Sequence, residues 1–181
     1  MKKILLLFIV NILLQFYSVA QVELKINVLG ALLDRPYFAV EYSFTDDLSM
    51  ELGAGAIFGK TINGRPRSGT NLLLAGKYYF NTRWGMDRYF LGLYVRPQML
   101  MIKNYEEDNF DNASRQSGVG TGVIFGRKWA GERVSFEINM GLGKLFGDKI
   151  YLYPNPTNIL IGDIEADVIF NINVGYRFLE N

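Results

Sequence analysis

The sequence contains no cysteine and no histidine among its 181 residues. Without cysteine, an exported chain of this size has no disulfides to hold it together. Without histidine, it has no Ser-His-Asp triad and no His-based zinc site. It also lacks the S-x-x-K and G-x-S-x-G patterns of Ser-Lys and α/β-hydrolase enzymes. These absences predict a protein that is not an enzyme and that needs no cofactor or metal.

The sequence also has no excess of charge of either sign, with 19 basic and 18 acidic residues. Proteins that bind nucleic acid usually present a basic patch or stripe, and none is visible here. Nucleic acid is therefore not an expected partner.

The N-terminus has the features of a secretory signal peptide. Lys2 and Lys3 precede an apolar run from Ile4, and Ser18-Val19-Ala20 supplies the small residues of a cleavage site before Gln21. A transmembrane anchor is the alternative, but the run is short and Asn11 and Gln15 interrupt it. We therefore predict a signal peptide at 1–20 and one domain at 21–181. Removing 20 of 181 residues leaves 161, with 17 basic and 18 acidic residues.

Apolar and polar residues alternate with the period of a β-strand along the predicted mature chain. Between Ile164 and Phe178, one set of alternate positions is apolar throughout, whereas the other is apolar only at Ile169. No convincing helical period is visible. The predicted strands are 22–32, 37–45, 48–59, 71–81, 88–102, 117–129, 134–145 and 164–178.

The connections between these eight strands alternate in length. Tight turns are predicted near Asp46-Asp47, at 83–87 and at 130–133, and longer loops at 61–70, 104–116 and 152–163. Short turns on one side and longer loops on the other are typical of outer-membrane barrels. The pattern predicts an all-β protein, an eight-stranded antiparallel up-and-down transmembrane β-barrel.

The two faces of this barrel differ in side-chain volume. One set of alternate strand positions, or phase, holds large apolar side chains, and the other is rich in glycine, asparagine, serine and charged residues. An eight-stranded barrel has an interior just wide enough for its own side chains, which the apolar set would overfill. The apolar face is therefore predicted to point outward into lipid. A soluble, lipocalin-like calyx with the opposite orientation is the alternative.

Strand charges follow the same division. Twelve lie on the polar phase: Glu23, Lys25, Glu41, Glu51, Lys77, Arg88, Arg96, Lys128, Glu137, Glu165, Asp167 and Arg177. Because unpaired buried charge is costly, each cation is expected to pair with a carboxylate on a neighbouring strand. Arg127 and Lys144 lie on the apolar phase, near strand ends where long side chains can reach the interface.

Aromatic residues collect where the strands meet the tight turns. An interfacial girdle is predicted there. Its members are Phe44, Phe80, Tyr89, Trp129, Phe136 and Phe178.

Pro97 lies inside the fifth strand and cannot donate a ladder hydrogen bond, so a bulge or an early strand end near Arg96 is expected. In the second case, residues 98–102 would project above the membrane.

The chain resembles the small outer-membrane β-barrels of Gram-negative bacteria, broadly the OmpA/OmpX-like group. More narrowly, it is similar to a domain-of-unknown-function family of such barrels common in Bacteroidota. The stretches that carry the resemblance are INVLGALLDRPYFAVEYSF, LSMELGAGAIFG, LLLAGKYYF and INVGYRF. The resemblance implies that the barrel-assembly machinery recognises Tyr176 and Phe178 of the last strand. Here, Leu179-Glu180-Asn181 follow that aromatic.

The long loops offer a few candidate contacts. Arg65 and Arg67 match the geometry of lipopolysaccharide phosphates, and the acidic stretch 106–112 offers oxygen ligands without the order of an EF-hand loop. Solvated surface loops are the simpler interpretation of both.

The expected role is a structural or surface-interaction function in the outer membrane, with a polar interior that forms a plug. The alternative role is an accessory subunit of a larger outer-membrane complex for secretion or nutrient import, with a protein partner there.

Overall fold

Antiparallel strands build the protein in the computed structural model, which describes residues 21–59, 67–83, 85–106, 109–152, 159–160 and 165–178. The strands are β1 Val22–Asn27, β2 Tyr37–Ser43, β3 Leu48–Ile57, β4 Arg67–Phe80, β5 Arg88–Glu106, β6 Asn109–Ala130, β7 Val134–Leu152, β8 Ile159–Leu160 and β9 Glu165–Arg177. Each strand from β1 to β7 pairs with the next, and β9 pairs with both β7 and β1. The predicted closed, all-β, eight-stranded antiparallel barrel is confirmed. The two-residue β8 pairs with β7, and β9 takes the eighth place.

The large apolar residues of the barrel strands point mainly outward, as the volume argument predicts. In β9, Phe170 and Val174 are 50% and 40% exposed, whereas Asn171 and Asn173 are 8% and 0% exposed. The same division holds in β3, where Leu52 is exposed and Glu51 is fully buried. The barrel therefore encloses its charges and presents aliphatic and aromatic side chains to its surroundings.

A single turn of helix, α1 Val28–Leu32, replaces the end of the predicted first strand. The strand stops at Asn27, whose side-chain oxygen accepts a 2.8 Å hydrogen bond from the Gly30 amide and so caps the helix. Five residues are too few for a helical period to show in the sequence. No helix among the described residues is long and apolar enough to cross a membrane, a finding that does not concern strands.

Pro97 neither ends β5 nor shifts its register, so this prediction was wrong. The β4–β5 ladder is interrupted between the pairs Leu74–Val95 and Asn71–Gln98, yet the same register resumes on the far side. Pro97 itself still lies opposite Val119 of β6. The β6 ladder continues past the gap, and β5 runs on to Glu106.

The loop predicted at 104–116 is also corrected, and β5 lacks the early end on which the projecting segment 98–102 depended. Both lie largely within the hairpin of β5 and β6, whose strands end at Glu106 and begin at Asn109. The register shifts between Asn104 and Glu106, close to the tip of this hairpin. Alternation fades in the polar stretch after Lys103, which is why the sequence pattern missed these strand ends.

Glycines on the inner face make room for the long side chains of neighbouring strands. A Cβ at Gly175 would overlap a Glu23 carboxylate oxygen and lie 2.5 Å from Ser135 Oγ. A Cβ at Gly120 would overlap the Asp167 carboxylate in the same way. Gly76, in contrast, faces outward with nothing within 4 Å of the added atom.

This contrast predicts opposite results for two alanine substitutions in the same barrel. Gly175→Ala is expected to lower the free energy of unfolding by about 1–3 kcal/mol, because the methyl group overpacks the interior. Gly76→Ala is expected to be neutral or to stabilise the protein by up to about 1 kcal/mol, because it restricts the unfolded chain. Urea unfolding of protein folded in detergent measures both values. Equal destabilisation by the two substitutions would contradict the assigned orientation.

Candidate functional site: a buried ion network inside the barrel

Seven of the eight barrel strands each contribute charge to one cluster inside the barrel. We call this cluster the ion network. Its members are Glu23, Lys25, Glu41, Glu51, Lys77, Lys128, Glu137 and Arg177. The set holds four carboxylates and four cations, so its formal net charge is zero. All eight residues are at most 4% exposed.

Two lysines and three glutamates form the centre of the ion network. Lys25 Nζ pairs with Glu41, lies 2.8 Å from Glu51 Oε2 and lies 2.5 Å from Glu137 Oε2. Lys77 Nζ lies 2.7 Å from Glu51 Oε2 and 3.0 Å from Glu137 Oε1. The two ammonium groups therefore bridge carboxylates on β2, β3 and β7, and the contacts span the interior as well as joining neighbouring strands.

Lys128 and Arg177 extend the network toward the tight-turn end. Lys128 Nζ lies 2.9 Å from Glu23 Oε2 and 2.8 Å from Glu41 Oε2. Arg177 Nε lies 3.1 Å from the same Glu23 oxygen, and its Nη2 donates to the Met86 carbonyl at 2.8 Å. Met86 is fully buried in the turn between β4 and β5. This turn therefore adds a buried methionine to the core of the barrel.

Neutral side chains donate to the carboxylate oxygens of the network as well. Ser49 and Tyr79 both donate to Glu41 Oε1, at 2.5 and 2.7 Å. Ser135 donates to Glu23 Oε1 at 2.7 Å, and Asn139 donates to Glu137 Oε1 at 2.6 Å. A buried charge is stable only when it is both paired and hydrogen-bonded, and these donors complete that requirement.

Three asparagines connect the ion network to the helix at the other end of β1. Asn139 accepts from Asn171 at 3.0 Å, and Asn171 accepts from Asn27 at 2.6 Å. Asn27 in turn accepts from the Gly30 amide of α1. The chain of amides links the cap of the helix to Glu137, so the two ends of the barrel interior share one hydrogen-bonded system.

A separate ion pair lies nearer the long-loop end. Arg96 Nη2 pairs with Asp167, and Tyr94 Oη donates to Asp167 Oδ2 at 3.0 Å. A cavity of about 200 Å³ opens beside this pair and is lined in part by Tyr37, Asn71 and Gln98. The ion network thus fills the interior toward the tight turns, and this cavity lies in the other half of the barrel.

Glu41, Glu51 and Glu137 bring carboxylate oxygens within 4.8 Å of one another, as a metal site would. Lys25 contacts all three residues, and Lys77 lies within 4 Å of all three. The ammonium groups already stand where a cation would stand, and they neutralise the same oxygens. The arrangement therefore fits an internal ion-pair network better than a metal centre.

The structure places the predicted interior charges as follows. Glu41, Glu51, Lys77, Glu137 and Arg177 belong to the ion network, and Arg96 and Asp167 form the separate pair. Arg88 does not join them. It is exposed and adopts a left-handed backbone conformation with φ 69°, so its predicted interior position was wrong. The alternation that predicted it breaks at the first residue of β5.

The predicted girdle residues lie on the outer surface near the tight turns. Phe80, Tyr89, Trp129, Phe136 and Phe178 are exposed, and Phe44 is half-buried. Tyr176 and Phe178, the predicted assembly signal, are both exposed and form an edge-on ring pair 5.0 Å apart. Tyr42 with Phe44 and Tyr78 with Phe80 repeat this arrangement. The repeated Y-x-F sequence is the local signal for it.

Two predicted loop contacts fall outside what the structure describes. Arg65 is not among the described residues, and Arg67 opens β4 with an undescribed side chain. Of the acidic stretch 106–112, Glu106 ends β5 and Asn109 begins β6. The predicted signal peptide, 1–20, also lies outside the described residues.

Interior aromatic residues are the feature that the sequence reasoning missed. Tyr37, Tyr79, Phe90 and Tyr94 are buried, each at most 7% exposed. Lys77 Nζ lies 4.5 Å from the centre of the Phe90 ring, so an aromatic face borders the ion network. Strict alternation could have predicted their inward orientation, because Tyr79 follows the inward-facing Lys77 by two positions. Phe90 and Tyr94 likewise share the alternate positions of Arg96.

A closed eight-stranded barrel filled by a neutral ion network is the class of protein that this fold and site define. The chain belongs to a family of proteins of unknown function (DUF3575), which it matches over residues 4–158. No curated protein and no solved structure matches it.

Proposed function

We propose that this protein is a small integral outer-membrane β-barrel without enzymatic activity, of the OmpA/OmpX-like kind. The observation that carries the proposal is the outer surface of the barrel. Large apolar side chains are exposed on all eight barrel strands, for example Leu24, Phe38, Leu52 and Leu72. Soluble monomers seldom expose apolar patches of more than a few hundred Å², whereas a bilayer requires such a belt.

The tight-turn end supports the same proposal. Aromatic side chains ring this end, and amphipathic rings favour the level of lipid headgroups. In the proposed orientation, the tight turns face the periplasm and the long loops face outward, as in bacterial barrels. Export by a cleaved signal peptide and insertion by the barrel-assembly machinery, through Tyr176 and Phe178, are part of this proposal.

The interior favours a plug over a channel. The lysines and glutamates of the ion network meet across the barrel interior, and Met86 of the β4–β5 turn is buried against Arg177. An ion moving through would have to separate buried pairs that stabilise each other. The proposed role is therefore structural or surface-interactive, exercised by the outer loops. Lipopolysaccharide is a proposed contact of Arg65 and Arg67.

Cell fractionation with heat-dependent gel mobility and current recording in planar bilayers test this proposal. The protein is expected to fractionate with the outer membrane and to migrate differently on gels before and after heating. Purified barrels in planar bilayers are expected to pass no steady current, because the ion network blocks the axis; a general porin in the same bilayers serves as the control. Steady current of porin size, or full solubility without detergent, would contradict the proposal. The second outcome would instead support a soluble calyx.

An accessory role in a larger outer-membrane complex is the second candidate. Gly76 leaves open space on the outer face, and the outward-facing residue Ala54 on the neighbouring strand is also small. Small outward residues allow close packing between membrane-embedded surfaces. Affinity capture from native membranes decides between the roles: a stoichiometric partner favours the subunit, and a lone monomer favours the independent barrel.

A further inference from the structure

Two arginines stand on the outer surface at the tight-turn end, where the apolar belt meets the aromatic girdle. They line a groove of about 360 Å³ together with Phe80, Asn81 and Tyr89. Phe80, Tyr89 and Arg127 lie directly opposite one another on β4, β5 and β6, so they form one row across three strands. Arg88 stands at the end of the same groove. We call this surface the arginine groove.

Aromatic contacts hold the Arg127 side chain in place. Its Nη1 donates to Tyr89 Oη at 3.2 Å, and its guanidinium carbon lies 4.9 Å from the Tyr89 ring centre. The Trp129 ring centre lies 4.7 Å away. These contacts orient the guanidinium but do not neutralise it. Among the described residues, no carboxylate pairs with Arg127.

Arg88 also lacks a counter-charge in the described part of the chain. Its left-handed backbone, φ 69°, is uncommon for a residue with a side chain, and Asn81 across the groove has φ 52°. Asparagine often adopts this conformation in turns, whereas for Arg88 it costs about 1–3 kcal/mol. The groove is thus lined by two aromatic rings, one amide and two guanidinium groups that pair with no carboxylate among the residues that the structure describes.

We propose that the arginine groove binds the phosphodiester of an anionic glycerophospholipid. This inference rests on the proposed membrane location, which puts the groove at headgroup level in the leaflet on the tight-turn side. Arginine forks match phosphate oxygens in geometry and charge. The Phe80 and Tyr89 rings supply apolar surface for the glycerol and the upper acyl chain. A zwitterionic choline headgroup fits less well, because its cation would meet the arginines.

Titration with short-chain lipid tests the proposal on the intact barrel in detergent. Dihexanoyl phosphatidylglycerol is the probe, added in parallel with dihexanoyl phosphatidylcholine and with inorganic phosphate, and binding is measured from ³¹P line widths. The wild-type protein is expected to prefer the phosphatidylglycerol over both others. Arg88→Gln and Arg127→Gln are each expected to weaken its binding about tenfold, since each removes a charged hydrogen-bond donor.

Lys144→Gln is the matched control, because Lys144 is also an exposed cation on the outer phase but lies on β7 away from the groove. It should leave the titration unchanged. Equal binding by wild type and the double arginine variant would overturn the proposal, as would inorganic phosphate binding as tightly as the lipid. Vesicle flotation separates this result from the proposed function. A barrel that floats without lipid preference refutes only the groove, whereas a wild-type chain that fails to insert refutes the membrane assignment.

Discussion

Replacing Glu137 with glutamine is expected to lower the free energy of unfolding by about 3–5 kcal/mol, the usual loss when one partner of a buried ion pair is removed. Glu137 accepts from Lys25, Lys77 and Asn139, and glutamine keeps its shape while removing its charge. The ion network would then carry one uncompensated positive charge inside the barrel. Urea unfolding in detergent, followed by heat-dependent gel mobility, measures the loss.

A second substitution separates charge from packing. Adding Lys77→Met to Glu137→Gln restores neutrality, so the double variant is expected to be more stable than Glu137→Gln alone. Glu132→Gln removes the same charge from an exposed turn between β6 and β7 and should change stability by less than about 0.5 kcal/mol. If Glu137→Gln behaved like Glu132→Gln, the ion network would not be what stabilises the interior.

Arginine in place of Leu93 is expected to destabilise the protein in lipid vesicles by about 2–4 kcal/mol, the range for a basic residue facing lipid at mid-depth. Leu93 is 71% exposed and lies four residues along β5 from the girdle residue Tyr89. Its neighbours across the strands, Val123 and, beyond it, Leu142, are also apolar and exposed. The guanidinium would thus have no nearby charge or water. Equilibrium unfolding from vesicles measures the effect.

Val134→Arg serves as the depth control. Val134 is 58% exposed but is the first residue of β7, beside a tight turn, where the expected loss falls to about 0–1 kcal/mol. A soluble calyx predicts similar, small losses for both substitutions, because an arginine at an exposed site in water changes stability little. Similar stability of Leu93→Arg and Val134→Arg would therefore reject the membrane assignment.

The sequence predicted the barrel because its signal is local. Strand period, turn position and side-chain volume are properties of neighbouring residues, so eight strands and their inner phase could be read without coordinates. The exceptions lie where local rules compete. Asn27 ends β1 by capping α1, and Pro97 interrupts one ladder while β6 holds the strand in register. Arg88 leaves its phase because the turn before it imposes a left-handed residue.

Alternation, side-chain volume and the positions of the charges, all read from the sequence, predicted that the barrel is apolar outside and charged within. The choice of partners inside was decided only by the tertiary structure. Lys25 meets Glu137 across 112 positions of sequence, and Arg177 meets Glu23 across 154. Such pairs depend on closure, which brings β1 beside β9 and sets the height of every residue on the barrel wall. No local sequence pattern encodes the position of a residue along the barrel axis, since that position is fixed only when the last strand pairs with the first.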